Sequence, residues 1–204
     1  IHIGIIMIEL AIGAIVAALV FDFLNGFHDA ANSIATVVGT RILKPLQAVT
    51  LAAAANFIGP FLFGVAVATT IGKGIINPDF VTLNIIIGAL AGAIVWDIFT
   101  WLLGLPTSSS HALIGGIIGA GIAGAGSKAI MFDGLQKVAT GILVSPIAGF
   151  AAAFGLGLVI MIVFAKSKPR AVNSAFGRLQ LISSTYFSLT HGANDGQKTM
   201  GIIA

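Results

Sequence analysis

Six long apolar runs dominate this chain, near residues 3–21, 47–71, 82–103, 110–126, 139–165 and 179–204. A helix needs about 20 apolar residues to cross a hydrocarbon layer about 30 Å thick. In that layer backbone N–H and C=O groups find no water, so only helices and closed barrels span it. Barrel strands alternate at period two in pieces of about ten residues. The runs here are continuous and longer, which selects helices. Composition agrees: 57% of residues are hydrophobic and 8% charged, against about 25% charged in a soluble domain. The side chains cannot cover a globular surface in water. The sequence therefore predicts an all-α fold, a polytopic transmembrane bundle in the cell (inner) membrane with the lipid bilayer as its surroundings.

The charges organise the rest. A net charge of +3 comes mostly from loops and gives no reason to expect nucleic acid as a partner. There is no Cys, which excludes thiolate metal sites. No cleavable signal pattern stands out. The chain opens on Ile1 and stops nine residues after Asp195, so a longer parent protein is expected. The division expected is a first transmembrane repeat over 1–165, a basic cytoplasmic linker over 166–178 (Lys166, Lys168, Arg170, Arg178), and the start of a second repeat over 179–204. Arg41 and Lys44 form the other basic stretch. Cytoplasmic loops collect Lys and Arg, so both basic stretches are expected inside and the N-terminal end outside. As one helix, residues 1–40 would run about 60 Å at 1.5 Å per residue. A break is therefore expected, at Asn25-Gly26, with a broken or re-entrant helix there.

Two polar stretches interrupt the oil in a shared frame. Asn25-Gly26-Phe27-His28-Asp29-Ala30-Ala31-Asn32-Ser33 comes early, and His191-Gly192-Ala193-Asn194-Asp195-Gly196-Gln197-Lys198-Thr199 comes late. Each places an Asp three residues after a Gly. An acid at mid-membrane costs roughly 2.5–3.5 kcal/mol on insertion scales, so repeating it points to use. Paired polar interruptions are the best sequence pointer to a transporter's central site. Of the other acids, Asp79 and Asp133 read as solvated loop charges and Glu9 as interfacial. Asp22 reads as a local cap or pair. Asp97, between Trp96 and Trp101, reads mainly as a membrane-interface residue.

A third polar element is Gly104-Leu105-Pro106-Thr107-Ser108-Ser109-Ser110-His111. Pro and hydroxyl residues there suit a helix start. Free amides and the positive dipole end of a helix suit an anion. Thr107, Ser108, Ser109 and Ser110 are thus candidate anion ligands, with Asn194, Gln197, Asp29 and Asp195 completing a substrate site. A bare anion would be repelled by two carboxylates. Either a cation sits between them, or the anion brings a proton to share. Phosphate suits both cases, and sulfate has no proton to give. Asp29, Asn32, Thr36, Asn56 and Asp195 offer hard oxygens for Na⁺. His28, His111 and His191 adjoin the three polar elements but lack the spacing of a helical metal pair, so hydrogen bonding or proton handling is their expected role. Lys198 is open between meeting an anion and snorkelling. Small residues over Ile114–Gly126 suit close helix packing.

These residues resemble the PiT family of inorganic phosphate transporters. Its repeated signature is Gly-Ala-Asn-Asp-Val-Ala-Asn-Ala or close variants. Gly192-Ala193-Asn194-Asp195 matches the first half, and Gly26 to Ser33 matches the whole frame with His28 in place of Asn. Gly104 to His111 resembles the family's Pro/Ser/Thr/His hairpin. The resemblance is strongest to bacterial low-affinity phosphate permeases. It implies a pair of inverted repeats and cation-coupled phosphate uptake, with Asp29 and Asp195 as the motif acids and Ser108 as the hairpin serine. Asn56 stands where many eukaryotic members have Glu. The family's second hairpin falls beyond residue 204.

The reading is a secondary transporter that symports inorganic phosphate with Na⁺, or H⁺ as second choice. It needs no cofactor beyond Na⁺ as coupling ion, and a homodimer is a possible assembly. The alternative is an ion channel using the same polar interruptions. An enzyme is not expected: a serine hydrolase on Ser110 and His111 fails because adjacent helix residues do not face each other and no Gly-x-Ser-x-Gly elbow exists.

Overall fold

The structure is a computed structural model. It describes residues 2–63, 68–69, 71 and 74–203, with side chains described from residue 4 onward. The main helices are α1 (His2–Gly39), α2 (Pro45–Leu62), α3 (Leu83–Leu102), α4 (Ser109–Ala125), α5 (Phe132–Phe164) and α6 (Pro169–Ile203). Single turns of 3₁₀ helix lie at Pro78–Phe80 and Ser127–Ala129. α1, α2, α3 and α5 are long and apolar enough to cross a membrane, and the all-α, multi-pass membrane fold expected from the sequence holds.

Local chemistry sets the boundaries. Pro45 begins α2, and the Lys44 amide donates to Gln47 Oε1 at 3.1 Å. Thr82 and Ser108 cap α3 and α4 by accepting from the amides of Ile85 and His111. Gly126 ends α4 at φ 78°, in the region that favours glycine. Two expectations are corrected. α1 does not break at Asn25-Gly26; it is continuous from His2 to Gly39. A helix satisfies its own backbone, and its polar side chains find partners on other helices, so no break is required. Within the apolar run at 47–71, α2 ends at Leu62 and residues 68–69 and 71 are helical again; positions 64–67 and 70 lie outside the described residues. The hydrophilic stretch at 166–178 is helical from Pro169 onward.

α3 and α4 form a hairpin. Its open end is tied by Asn77 N–H to Ala129 O at 2.8 Å and Met131 N–H to Ile75 O at 2.9 Å. Phe21 of α1 packs against Leu90 and Ala93 of α3 and Leu113 of α4. The hairpin's turn sits beside α1 at the height of Phe27, whose ring meets Trp101 edge-on at 5.4 Å. That level lies roughly 18 Å short of the end of α1, at 1.5 Å per residue. The start of α4 therefore opens at depth.

Lipid does not drive helices together by hydrophobicity, so small residues at contacts matter. A Cβ on Gly116 would run into the backbone of Ala89, and one on Gly192 into the backbone of Asn56. These glycines let α4 close on α3, and α6 on α2. Along α5, Ile147, Phe150, Phe154 and Met161 are all exposed.

Candidate functional site

α1 and α6 lie side by side in opposite directions and join through polar stripes. On α1 the stripe is Asp22, Asn25, Asp29, Ser33 and Thr40; on α6 it is Gln180, Ser184, Ser188, His191, Asp195 and Thr199. Steps of three, four or seven residues keep each set on one helix face. The contacts run in antiparallel order. Thr40 Oγ1 donates to Gln180 Oε1 at 3.2 Å, and Ser184 Oγ donates to the Ser33 carbonyl at 2.9 Å. Thr199 Oγ1 donates to Asp22 Oδ1 at 2.7 Å. The local cap expected for Asp22 is replaced by this interhelical bond, which the continuity of α1 makes reachable.

The two motif acids meet at the middle of this seam. One ligand atom each from Asp29, His191 and Asp195 lies within 4.8 Å of the others, and all three residues are partly buried. Asp195 forms an ion pair with Lys198 one turn along α6, and its other oxygen lies 3.2 Å from His191 Nε2. Asn32 Nδ2 donates to Asp29 Oδ1 at 3.1 Å. The separate polar stretches thus make one group of two carboxylates, an imidazole and an ammonium. With His191 neutral, the two acids and Lys198 leave one net negative charge. Such a group can hold a cation, or share a proton with an anion that brings one.

The third side comes from the hairpin. Asp97 on α3 has no exposed surface, which corrects its reading as an interface residue. The buried face of α3 runs Ile85, Ala89, Ala93, Asp97, Thr100, so helical spacing turns Asp97 inward while Trp96 and Trp101 stay exposed. His28, next to Asp29, donates from Nε2 to the Asp97 carbonyl at 3.0 Å. A carbonyl only accepts, so Nε2 carries the hydrogen. Ser109 at the start of α4 is buried near the Asp97 carboxyl, with no hydrogen bond formed between them. Asp97 is the residue that sequence reading missed. Its signal was a lone acid in register with buried small residues.

The other candidate residues distribute unevenly. Ser108 is occupied in capping α4, and Thr107 and Ser110 beside it are partly buried. Gln197 is buried, whereas Asn194 is exposed. Asn56 donates its amide to the Ala52 carbonyl on its own helix at 2.8 Å. Thr36 is exposed and Asn32 enters only through Asp29. Lys198 meets an acid rather than snorkelling. A separate cavity of about 680 Å³ lies toward the N-terminal half of α1, lined by residues such as Ala14, Ile71, Leu90 and Met200. Among the described residues that line it none is charged.

Comparison with known proteins bears on this arrangement. A profile described as "Phosphate transporter family" matches residues 25–169. A "Probable low-affinity inorganic phosphate transporter" of Rhizobium meliloti (strain 1021) is 54% identical over 195 residues, covering 96% of this chain and 58% of that protein. A protein of the same description from Streptomyces halstedii is 45% identical, covering 91% of this chain and 87% of that protein. The chain spans 58% and 60% of the Rhizobium and Bacillus subtilis relatives it matches. A solved structure described as "The sodium-dependent phosphate transporter" aligns with a TM-score of 0.84 at 22% identity, over 96% of this chain and 66% of that one; at that identity the likeness concerns the fold. With a family profile over most of its length, and a relative of this identity covered almost end to end, the chain belongs to the phosphate transporter family.

Proposed function

We propose that the whole protein is a secondary transporter that carries inorganic phosphate across the membrane together with a cation, Na⁺ ahead of H⁺. The observation that carries this reading is the meeting of Asp29, His191 and Asp195 within 4.8 Å, with the buried start of α4 turned to the same region through Ser109 and Asp97. Phosphate would be held by hydroxyls of Thr107 to Ser110 and by free amides at the α4 start, where the helix dipole favours an anion. Asp29 and Asp195, helped by Asn32, would take the coupling ion and share the protons that phosphate brings. Gln197 and Asn194 would complete the phosphate site. Thr36 and Asn56 would join the ion site only after a change in helix positions, since Asn56 is bonded to its own helix.

The division into repeats supports a mechanism. Residues 1–165 would form one repeat and 166–178 the cytoplasmic connection, with 179–204 opening an inverted second repeat. Rocking of one repeat against the other would expose the site to either side in turn. The antiparallel pairing of α1 with α6 supports this reading, since it brings the matched motifs together head to tail. No group beyond these residues and the coupling ion is required, and the chemistry is binding and release rather than bond making.

Phosphate uptake by proteoliposomes carrying the full-length protein tests the reading, with Na⁺ and pH gradients imposed separately. The expected result is saturable uptake that the Na⁺ gradient, the pH gradient or both stimulate. Uptake no greater than in empty vesicles under both gradients would refute it. Conductance that never saturates would select a channel instead.

A further inference from the structure

We propose that Asp97 carries a proton in this conformation and is the residue through which proton movement is linked to the phosphate site. The proposal rests on the transport reading above. Its ground is geometric. Asp97 has no exposed surface, and neither carboxyl oxygen has a hydrogen-bond partner among the described residues. The Ser109 hydroxyl is buried and unpartnered as well. An ionised carboxylate sealed from water without a partner costs several kcal/mol even after relaxation. The other acids of the polar region differ: Asp22 has Thr199, Asp29 has Asn32, and Asp195 has Lys198 and His191.

The groups facing Asp97 do not supply the missing charge. From α1 come His28 and Asp29, from α6 Lys198, and from α4 the Ser109 hydroxyl. Lys198 is already paired with Asp195. His28 donates to the main-chain carbonyl of Asp97, not to its carboxyl. The Thr100 hydroxyl is likewise directed at the carbonyls of Trp96 and Asp97. A metal ion fits poorly. A hard cation such as Ca²⁺ collects about 6–8 oxygens, and Asp97 with Ser109 offers three. A proton requires far less. The protonated carboxyl gains an O–H donor, and one hydrogen bond between it and Ser109 Oγ satisfies both side chains.

His28 connects this carboxyl to the ion and phosphate groups. Its ring is anchored on Asp97's helix while its neighbour Asp29 faces Asp195. With Nε2 carrying the hydrogen, Nδ1 of the neutral ring is an acceptor. Chains of Asp and His serve as proton relays in membrane proteins. Binding and release of the proton at Asp97 breaks no other covalent bond. The substrate-side source and sink are water and phosphate.

Infrared difference spectroscopy of the full-length protein gives the direct test. The expected result is the carbonyl stretch of a protonated carboxyl group that disappears in Asp97→Asn. In proteoliposomes the same variant should lose stimulation of phosphate uptake by a pH gradient, with fewer protons entering per phosphate. In Ser109→Ala, which leaves the carboxyl in place, the band should shift. Three results would overturn the proposal: no such band in the parent protein, a band unmoved by either substitution, or loss of one bound Na⁺ in Asp97→Asn with unchanged proton entry. Phosphate uptake without the band sinks this proposal alone. The band without any phosphate uptake sinks the transport reading and leaves the protonated Asp97 standing.

Discussion

Lys198 stands where an uncompensated ammonium would be strongly disfavoured, with its side chain about 9% exposed against Asp195 at 14%. Its charge lets two carboxylates share a small space. Removing one partner of a buried pair typically costs about 3–5 kcal/mol, because the other charge remains unpaired. Lys198→Met is therefore expected to lower the thermal midpoint of the purified protein clearly. Adding Asp195→Asn to it should recover part of the loss, since the orphaned charge goes too. Melting curves of the two single variants, the double variant and the parent decide it, and simple additivity would show that the pair is not coupled. At this scale the sequence was half legible. Asp29 and Asp195 announced themselves through matched frames, and their meeting needed no coordinates to be expected. Asp97 stayed hidden because two tryptophans suggested an interface. Which face of α3 is buried depends on packing against α1 and α4, and a single apolar helix does not reveal that.

Between helices, glycine decides how close two backbones come. A methyl group on Gly192 would collide with the backbone of Asn56, and one on Gly59 with the backbone of Leu189 and Ala193. Neither obstacle is a flexible side chain that could swing away. Overpacking of this kind costs typically 1–3 kcal/mol, so Gly192→Ala and Gly59→Ala should each lower thermal stability by about that amount. Gly13→Ala, with nothing within 4 Å, serves as the control and should be close to neutral. Equal melting of all three variants would mean that α2 and α6 do not approach as closely as described. Span positions were legible because about 20 apolar residues have few other uses. The intact α1 was not, because length alone argued for a break. What keeps it whole is interhelical: Asp22 finds Thr199, and the Ser33 carbonyl finds Ser184. The helical start at Pro169 was missed for the opposite reason, since charge hides a helix that apolar periodicity would have marked.

Orientation is a property of the molecule as a whole. Ile42 lies close to Gly177, so the turn after α1 and the beginning of α6 share one end of the bundle. Arg41, Lys44, Lys166, Lys168, Arg170 and Arg178 fall in or beside these two stretches, six of the ten Lys and Arg in the chain. Positive charge in short loops stays on the cytoplasmic side, which predicts that this end faces inward. The opposite end is where the backbone of Asn77 pairs with Ala129, and there Asp79 and Asp133 are exposed. The chain has no Cys, so a cysteine introduced into it supplies this stretch's only thiol. In whole cells, Asp79→Cys is expected to react with a membrane-impermeant maleimide, whereas Lys44→Cys and Ser174→Cys should react only after the membrane is opened or inverted. The reverse pattern would place the basic end outside. Labelling of Lys44→Cys and Ser174→Cys from opposite sides would contradict the antiparallel pairing of α1 with α6, and with it the meeting of Asp29 and Asp195 on which the proposed transport rests.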